Sequence, residues 1–160
     1  MPIVLLRVDD RLVHGQVVEG WLPTLGADLV VVVSDVSASD PVQSALMKMA
    51  LPSGVGLLVL GVADAAAALA SPQMAARRAL VLVPAPSEAL ALLENGVAVE
   101  RVNVGGLHFT IGKVQLGRAL FLDEKDKAAL RAIAARGVHL EGRSLPSDPD
   151  EDLRAALGGK

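Results

Sequence analysis

The chain has 160 residues, of which 52% are hydrophobic, 21% charged and 2% aromatic, with a net charge of −3. These values predict one globular domain with an aliphatic core, and they exclude an intrinsically disordered chain and a broadly basic nucleic-acid-binding surface. The absence of cysteine excludes disulfides, thiolate catalysis and cysteine-based zinc sites.

Short apolar runs alternate along the chain with segments of helical pattern. The first half predicts, in chain order, a strand over 3–6, a helix over 15–22, a strand over Leu29–Val33, a helix over 41–50, a strand over 57–60 and a helix over 64–70. The second half predicts a strand over Ala79–Val83, a helix over 87–95 capped by Ser87, a strand over 101–104, extended pieces over 111–115 and 119–122, a helix over 123–136, a strand over 138–144 and a helix over 151–157. This alternation favours an α/β fold, a mostly parallel open sheet with helices on both faces and a possible antiparallel element near 107–122.

The sequence gives no sign of membrane insertion or secretion. Its longest apolar runs fall far short of the ~18 residues that a transmembrane helix needs. The N-terminus has no basic region followed by a long apolar segment, as a signal peptide would. We therefore expect a cytoplasmic protein.

The most informative motif is RVDDRLVHGQV, which occupies residues 7–17. It places Asp9, Asp10, Arg11 and His14 at the carboxyl end of the first predicted strand, immediately before a helix. Open α/β sheets bind ligands at this edge, where loops from several strands meet. We therefore expect the functional site at this junction.

The motif contains the components that a phosphoryl-accepting histidine needs. The imidazole of His14 must be neutral, with one ring nitrogen unprotonated and the other held by an acceptor, for which Asp9, Asp10 or a backbone carbonyl is available. Arg11 can offer a planar fork of donors to the phosphoryl oxygens. Free N–H groups at the helix start would add to it, and Gly15 has no side chain that would block the approach.

Ordinary structural roles compete with these interpretations. A histidine before a helix often serves as a cap, and Arg7 and Asp9 could form a structural ion pair. His108, in the loop after the fifth strand, is either a surface histidine or a donor near the phosphoryl group. His139 lies inside the last predicted strand and is interpreted as structural.

The motif over 7–17, followed by Trp21, resembles the phosphorylation loop of a known family. That family is the IIB component of the mannose/fructose/sorbose class of the bacterial phosphoenolpyruvate-dependent sugar phosphotransferase system. Weaker matches follow in order along nearly the whole chain: LMKMA at 46–50, NVGG at 103–106, GK at 112–113, DEKD at 123–126, RG at 136–137 and RSLPSD at 143–148. The resemblance implies a single IIB domain over 1–160 with a mostly parallel α/β sheet.

The resemblance also implies the activity of a protein-histidine–sugar phosphotransferase. His14 would accept a phosphoryl group on Nδ1 from a histidine of the IIA component, with Arg11 helping to hold it. The group would then pass to a sugar bound by the membrane IIC and IID components, with which the chain would associate peripherally. The supporting residues would be Asp9, Asp10, Gly15 and Gln16. The resemblance implies no metal or organic cofactor, and it allows a homodimer.

Three other hypotheses can be compared with this one. A regulatory module would share the phosphorylation of His14 but act through protein binding rather than sugar transfer. A nucleotide-binding domain is disfavoured, because neither G-x-G-x-x-G nor G-x-x-x-x-G-K-[ST] follows the first strand. A metal site is disfavoured because His14, His108 and His139 lack the spacing of ligands.

Overall fold

The computed structural model describes residues 2–116 and 119–158. Its strands are β1 (Ile3–Asp9), β2 (Leu29–Val33), β3 (Gly56–Leu60), β4 (Ala79–Val83), β5 (Arg101–Gly106), β6 (Val114–Gln115), β7 (Phe121–Leu122) and β8 (His139–Glu141). Six of them form a parallel sheet in the order β3-β2-β4-β1-β5-β8, while β6 and β7 form a small antiparallel pair. The expected α/β fold is confirmed, and so is the antiparallel element near 107–122.

Helices cover both faces of the sheet. A π-helical segment (Gln16–Trp21) continues into α1 (Leu22–Leu25), and it is followed by α2 (Asp35–Ala38), α3 (Pro41–Ala50), α4 (Val62–Ala70), α5 (Pro86–Glu94), α6 (Glu124–Ala135) and α7 (Leu153–Ala156). One face packs against the π-helical segment, α1 and α3, and the other against α4, α5, α6 and α7. No helix in the described part of the chain combines the length and the hydropathy needed to cross a bilayer.

Several strands differ from their predicted bounds, and the differences at the carboxyl ends of β1 and β8 bear on the crevice at this edge of the sheet. β1 continues to Asp9 instead of ending at residue 6, because Arg7 and Asp9 are fully buried and pair with each other at 2.9 Å. The strand predicted over 138–144 stops at Glu141. Beyond it, the carbonyls of Arg143 and Ser144 turn towards Arg7 and accept its hydrogen bonds, each at 3.0 Å.

Several helix ends also differ. The four-residue α2 and a 3₁₀ turn over Pro72–Met74 have no counterpart among the predicted elements, because segments this short show no hydrophobic periodicity. The prediction of Ser87 as a cap is wrong: α5 begins at Pro86, and the Ser87 hydroxyl donates to Glu88 at 3.1 Å. The helix predicted over 15–22 is divided into the π-helical segment and α1.

The strand order creates a crevice at the carboxyl end of β1. β1 and β5 are neighbours in the sheet. The chain leaves β1 for the π-helical segment on one face, and it leaves β5 for α6 on the other. Connections that diverge in this way open a crevice between the two strand ends, which is the usual ligand site of an open α/β sheet.

Candidate functional site

The carboxylate of Asp9 is the centre of this crevice. It is fully buried at the end of β1 and accepts hydrogen bonds from three side chains. His14 approaches it through Nε2 at 3.0 Å, Arg11 through Nε and Nη2 at 3.0 Å each, and Arg7 through Nη2 at 2.9 Å. The side chain of His14 is 15% exposed and that of Arg11 is 44% exposed, so both can be reached from solvent while their common acceptor cannot.

The charge of Asp9 determines which ring nitrogen of His14 carries the proton. Burial alone would raise the pKa of the Asp9 carboxyl, but the hydrogen bonds from His14 and Arg11 and the charge of Arg7 outweigh it and hold that pKa well below its ordinary value. Asp9 is therefore ionised at neutral pH and can only accept hydrogen bonds. This favours the tautomer of His14 that carries its proton on Nε2, which leaves the lone pair on Nδ1.

The loop from Asp9 to His14 is held in a tight turn. The backbone N–H of Leu12 donates to the carbonyl of Asp9 at 3.0 Å, and Leu12 takes a left-handed conformation with φ of 58°. For a residue other than glycine this costs about 1 kcal/mol. The Leu12 side chain is buried in the core. This burial stabilises the fold by about 2 kcal/mol, which more than offsets the cost of the left-handed conformation.

A buried polar network around Arg7 holds Asp9, the first residue of this turn, in place. The guanidinium of Arg7 donates to Asp9, to the side-chain oxygen of Asn103 at 2.6 Å and to the carbonyls of Arg143 and Ser144. It also lies 5.1 Å from the ring of Trp21, whose indole N–H donates to the Ser144 carbonyl at 2.9 Å. Arg7 is thus both the ion-pair partner of Asp9, as one of the two interpretations expected, and its anchor to β5 and the chain after β8.

Two glycines of β5 make room for these arginines. A Cβ on Gly105 would lie 2.0 Å from Cζ of Arg7, and a Cβ on Gly106 would lie 3.0 Å from Nη2 of Arg11. Side chains at these positions would therefore displace the groups that hold Asp9. Within the NVGG sequence at 103–106, Asn103 therefore accepts a hydrogen bond from Arg7, and the two glycines leave room for the guanidinium groups of Arg7 and Arg11.

The predicted site residues divide into two groups. The structure brings together Asp9, Arg11, His14 and Gln16, whose Oε1 accepts from Arg11 Nη2 at 2.9 Å. Asp10 turns away from His14: its carboxylate accepts from the backbone N–H of His108 at 2.8 Å and also contacts Nδ1 of that residue.

Gly15 and His139 lie outside these contacts. Gly15 stands at the start of the π-helical segment, and a Cβ there would meet nothing within 4 Å. His139 pairs with Asp150 at 2.9 Å, which agrees with its interpretation as a structural residue.

Besides Arg7, four residues of the network were not among the predicted site residues: Trp21, Asn103, Arg143 and Ser144. Asn103 could have been found as the polar residue between Val102 and Val104 of β5, where a buried amide needs partners. Trp21 is the only tryptophan of the chain. Nothing local marks Ser144, because its carbonyl reaches the site only through the fold.

One cluster of possible metal ligands occurs within the described residues. One ligand atom from each of His139, Glu141 and Asp150 lies within 4.8 Å of the others. However, Glu141 is already paired with Arg101 at 3.1 Å and with Arg143 at 2.9 Å. Its charge is compensated by these arginines, so the cluster is poorly suited to a cation.

Comparison with protein families identifies a match over almost the whole chain. The family model for the "PTS system sorbose subfamily IIB component" matches residues 3–160. The fructose-specific EIIB component of Bacillus subtilis is 38% identical over 153 residues, which cover 96% of this chain and 94% of that protein.

Two further comparisons concern a longer relative and a solved structure. The mannose-specific EIIAB component of Escherichia coli is 40% identical over 149 residues, or 93% of this chain but only 46% of that protein, so the chain spans about half its length. The crystal structure of the IIB domain of the sorbose permease of Klebsiella pneumoniae superposes with a TM-score of 0.94 at 32% identity, covering 100% of this chain and 98% of that one. The family match, the relatives and the shared fold agree, and the chain therefore belongs to the sorbose subfamily of phosphotransferase-system IIB components.

Proposed function

We propose that this IIB component is a phosphocarrier that accepts a phosphoryl group on Nδ1 of His14 from a histidine of a IIA component. It then transfers the group to a sugar during uptake through membrane IIC and IID components. One observation carries the proposal: Nε2 of His14 is bound to a buried carboxylate while Arg11 lies on the same carboxylate. This arrangement supports the proposal, because the carboxylate of Asp9 leaves Nδ1 of His14 free and holds Arg11 beside the ring.

In the first step the lone pair on Nδ1 of His14 attacks phosphorus. The new N–P bond forms as the N–P bond of the donor histidine breaks, and the donor imidazole leaves with the electron pair. The ring of His14 becomes cationic, and its Nε2–H faces the carboxylate of Asp9 at 3.0 Å. Asp9 therefore stabilises the charge that appears on the ring, while Arg11 can neutralise charge on the phosphoryl oxygens.

In the second step a sugar hydroxyl attacks the same phosphorus. The N–P bond breaks, its electron pair returns to Nδ1, and the hydroxyl proton passes to solvent or to a base on the membrane component. His14 is again neutral with its proton on Nε2, so the carrier is ready for another cycle. No metal or organic cofactor enters either step.

The proposal is tested by reconstituting the phosphoryl relay. The protein is incubated with phosphoenolpyruvate, the general phosphotransferase proteins and a matching IIA component, then analysed by intact mass and peptide mapping. We expect one acid-labile phosphoryl group on the peptide that contains His14, and NMR of the phosphorylated ring should place it on Nδ1. A folded protein that gains no phosphoryl group from a competent donor would contradict the proposal.

The partners and location follow from the same proposal. A single IIB domain over 1–160 would work in the cytoplasm and dock reversibly, first on the IIA component and then at the membrane. Arg11, beside His14, is exposed and charged, and the segment that follows β5 carries the exposed apolar Phe109 and Ile111. Mixed surfaces of this kind suit transient contacts.

We also propose that the chain forms a homodimer through the edge strand β3. The opposite edge, β8, is covered within the chain, because Gly142 donates to the carbonyl of Glu151 at 2.9 Å. β3 has the sequence GLLVL with no charged residue, and the exposed Val42, Leu46 and Met49 lie along the neighbouring α3. Unprotected edges pair readily, and two copies related by a twofold axis would pair antiparallel.

Sedimentation equilibrium measures this association. We expect a dimer fraction that rises with concentration, and we expect Met49→Lys, which places a charge in the interface, to raise the Kd at least ~10-fold. The matched control is Val114→Lys, since Val114 is also an exposed aliphatic residue but lies in β6, which belongs to the separate two-stranded sheet. A wild-type protein that stays monomeric throughout would contradict the dimer.

A further inference from the structure

Two adjacent carboxylates of the motif have different partners. Asp9 points into the crevice and binds His14 and Arg11, whereas Asp10 binds His108 through both the backbone N–H and the ring of that residue. The backbone N–H of Asp10 also donates to the carbonyl of Gly106 at 3.1 Å. These contacts connect the active-site loop to the loop that follows β5.

Asp10 nevertheless lies in one cleft with Arg11, the cation proposed to hold the phosphoryl group. Its side chain is 14% exposed, and it lines the same cleft of about 280 Å³ as Arg11, Gln16 and His108. A phosphoryl group carries nearly two negative charges, so an unpaired carboxylate in this cleft would repel it. The same carboxylate could also compete with Asp9 and with the phosphoryl group for Arg11.

We propose that His108 is a positioning residue for phosphotransfer, which acts by holding the carboxylate of Asp10 away from Arg11 and from the phosphoryl group on His14. This inference rests on the proposed phosphocarrier function. His108 is 71% exposed and need not contact the phosphoryl group itself. It acts through Asp10, with its ring Nδ1–H and its backbone N–H both directed to one carboxylate oxygen.

A double-mutant cycle separates this role from a docking or a purely structural one. We expect His108→Ala to lower the maximal rate of His14 phosphorylation about 10-fold, with the KM for the phosphorylated IIA donor changed less than about threefold. His108→Asn, which keeps a side-chain N–H donor, should restore most of the rate. The central result is the rate of the double variant His108→Ala/Asp10→Asn. Because this variant lacks the negative charge of Asp10, it should phosphorylate His14 faster than His108→Ala alone.

The chain supplies a matched control for this cycle. His139 also pairs with a carboxylate, that of Asp150 at 2.9 Å, but it does so on β8 and outside the network around Asp9. His139→Ala should therefore leave the rate of His14 phosphorylation unchanged.

Three results would overturn the inference. One is a double variant no faster than His108→Ala, because the charge of Asp10 would then be irrelevant. Another is a change confined to the KM for the donor, which would assign His108 to docking. The third is an imidazole ¹⁵N spectrum of His108 that is the same in wild type and in Asp10→Asn, which would show that the pair does not exist in solution. Failure of the relay on the wild-type protein would overturn the proposed function itself, so the two failures are distinguishable.

Discussion

Replacing His14 by glutamine should abolish phosphorylation of the protein, with a rate at least ~10⁴-fold below wild type, while the protein remains folded. The variant removes Nδ1, the nitrogen that the contact with Asp9 leaves with a lone pair. Glutamine was chosen because its amide N–H can still donate to the buried carboxylate, so that Asp9 keeps a partner. The free energy of unfolding should therefore fall by no more than about 1.5 kcal/mol.

The measurement is the same relay, followed by peptide mapping and by chemical denaturation of the variant. The chain has three histidines, and His139→Gln is the control for loss of an imidazole elsewhere. We expect that control to be phosphorylated at the wild-type rate. Phosphate found on His108 or His139 in the His14 variant would show that another histidine is the carrier, and an unfolded variant would show that His14 is chiefly structural.

The central strands of the fold were predictable because burial on both faces dictates their composition. The predicted bounds of Leu29–Val33 and Ala79–Val83 match the structure to the residue, and every residue of both strands is buried. Such continuous β-branched and aliphatic runs are typical of the interior of a parallel sheet. α6 was recognisable for a local reason too, since Asp123 and Asp126 form a capping box at its start.

The end of β1 was not predictable from local pattern. Two charged residues within three positions normally indicate a loop, and Arg7 and Asp9 are instead fully buried. Their burial depends on Asn103 and on carbonyls near residue 144, which are about a hundred residues away or more in the sequence. Long-range pairing of this kind compensates the cost of desolvating the two charges, and no window of the sequence contains it.

The candidate site was predictable to the extent that it is local. Asp9, Arg11, His14 and Gln16 lie within eight consecutive residues, so a single tight turn brings them together. Asp10 belongs to the same segment, but it follows the last residue of β1, and its carboxylate accepts from the backbone N–H of His108 in a different loop. The choice among Asp9, Asp10 and a carbonyl as the partner of His14 therefore required the structure.

Gly105→Ala should lower the free energy of unfolding by roughly 4 kcal/mol. This loss is larger than the one we expect for any substitution of an exposed residue discussed above. The added Cβ would lie 2.0 Å from Cζ and 2.1 and 2.2 Å from the two Nη atoms of Arg7. The guanidinium cannot move aside, because it is fully buried, bonded to Asp9, Asn103 and two carbonyls, and stacked on Trp21. The methyl group must therefore separate Arg7 from at least one partner, which leaves a buried charge uncompensated.

Chemical denaturation of wild type and variant measures the loss, and Gly15→Ala is the matched control. Gly15 also has negative φ, and its added Cβ would meet nothing within 4 Å. Its free energy of unfolding should therefore change by less than about 1 kcal/mol. We further expect Gly105→Ala to slow phosphorylation of His14, because a displaced Arg7 no longer anchors Asp9. Equal free energies of unfolding for the two variants would show that the polar network around Arg7 relaxes around the added methyl group. Arg7 would then not be the residue that anchors Asp9.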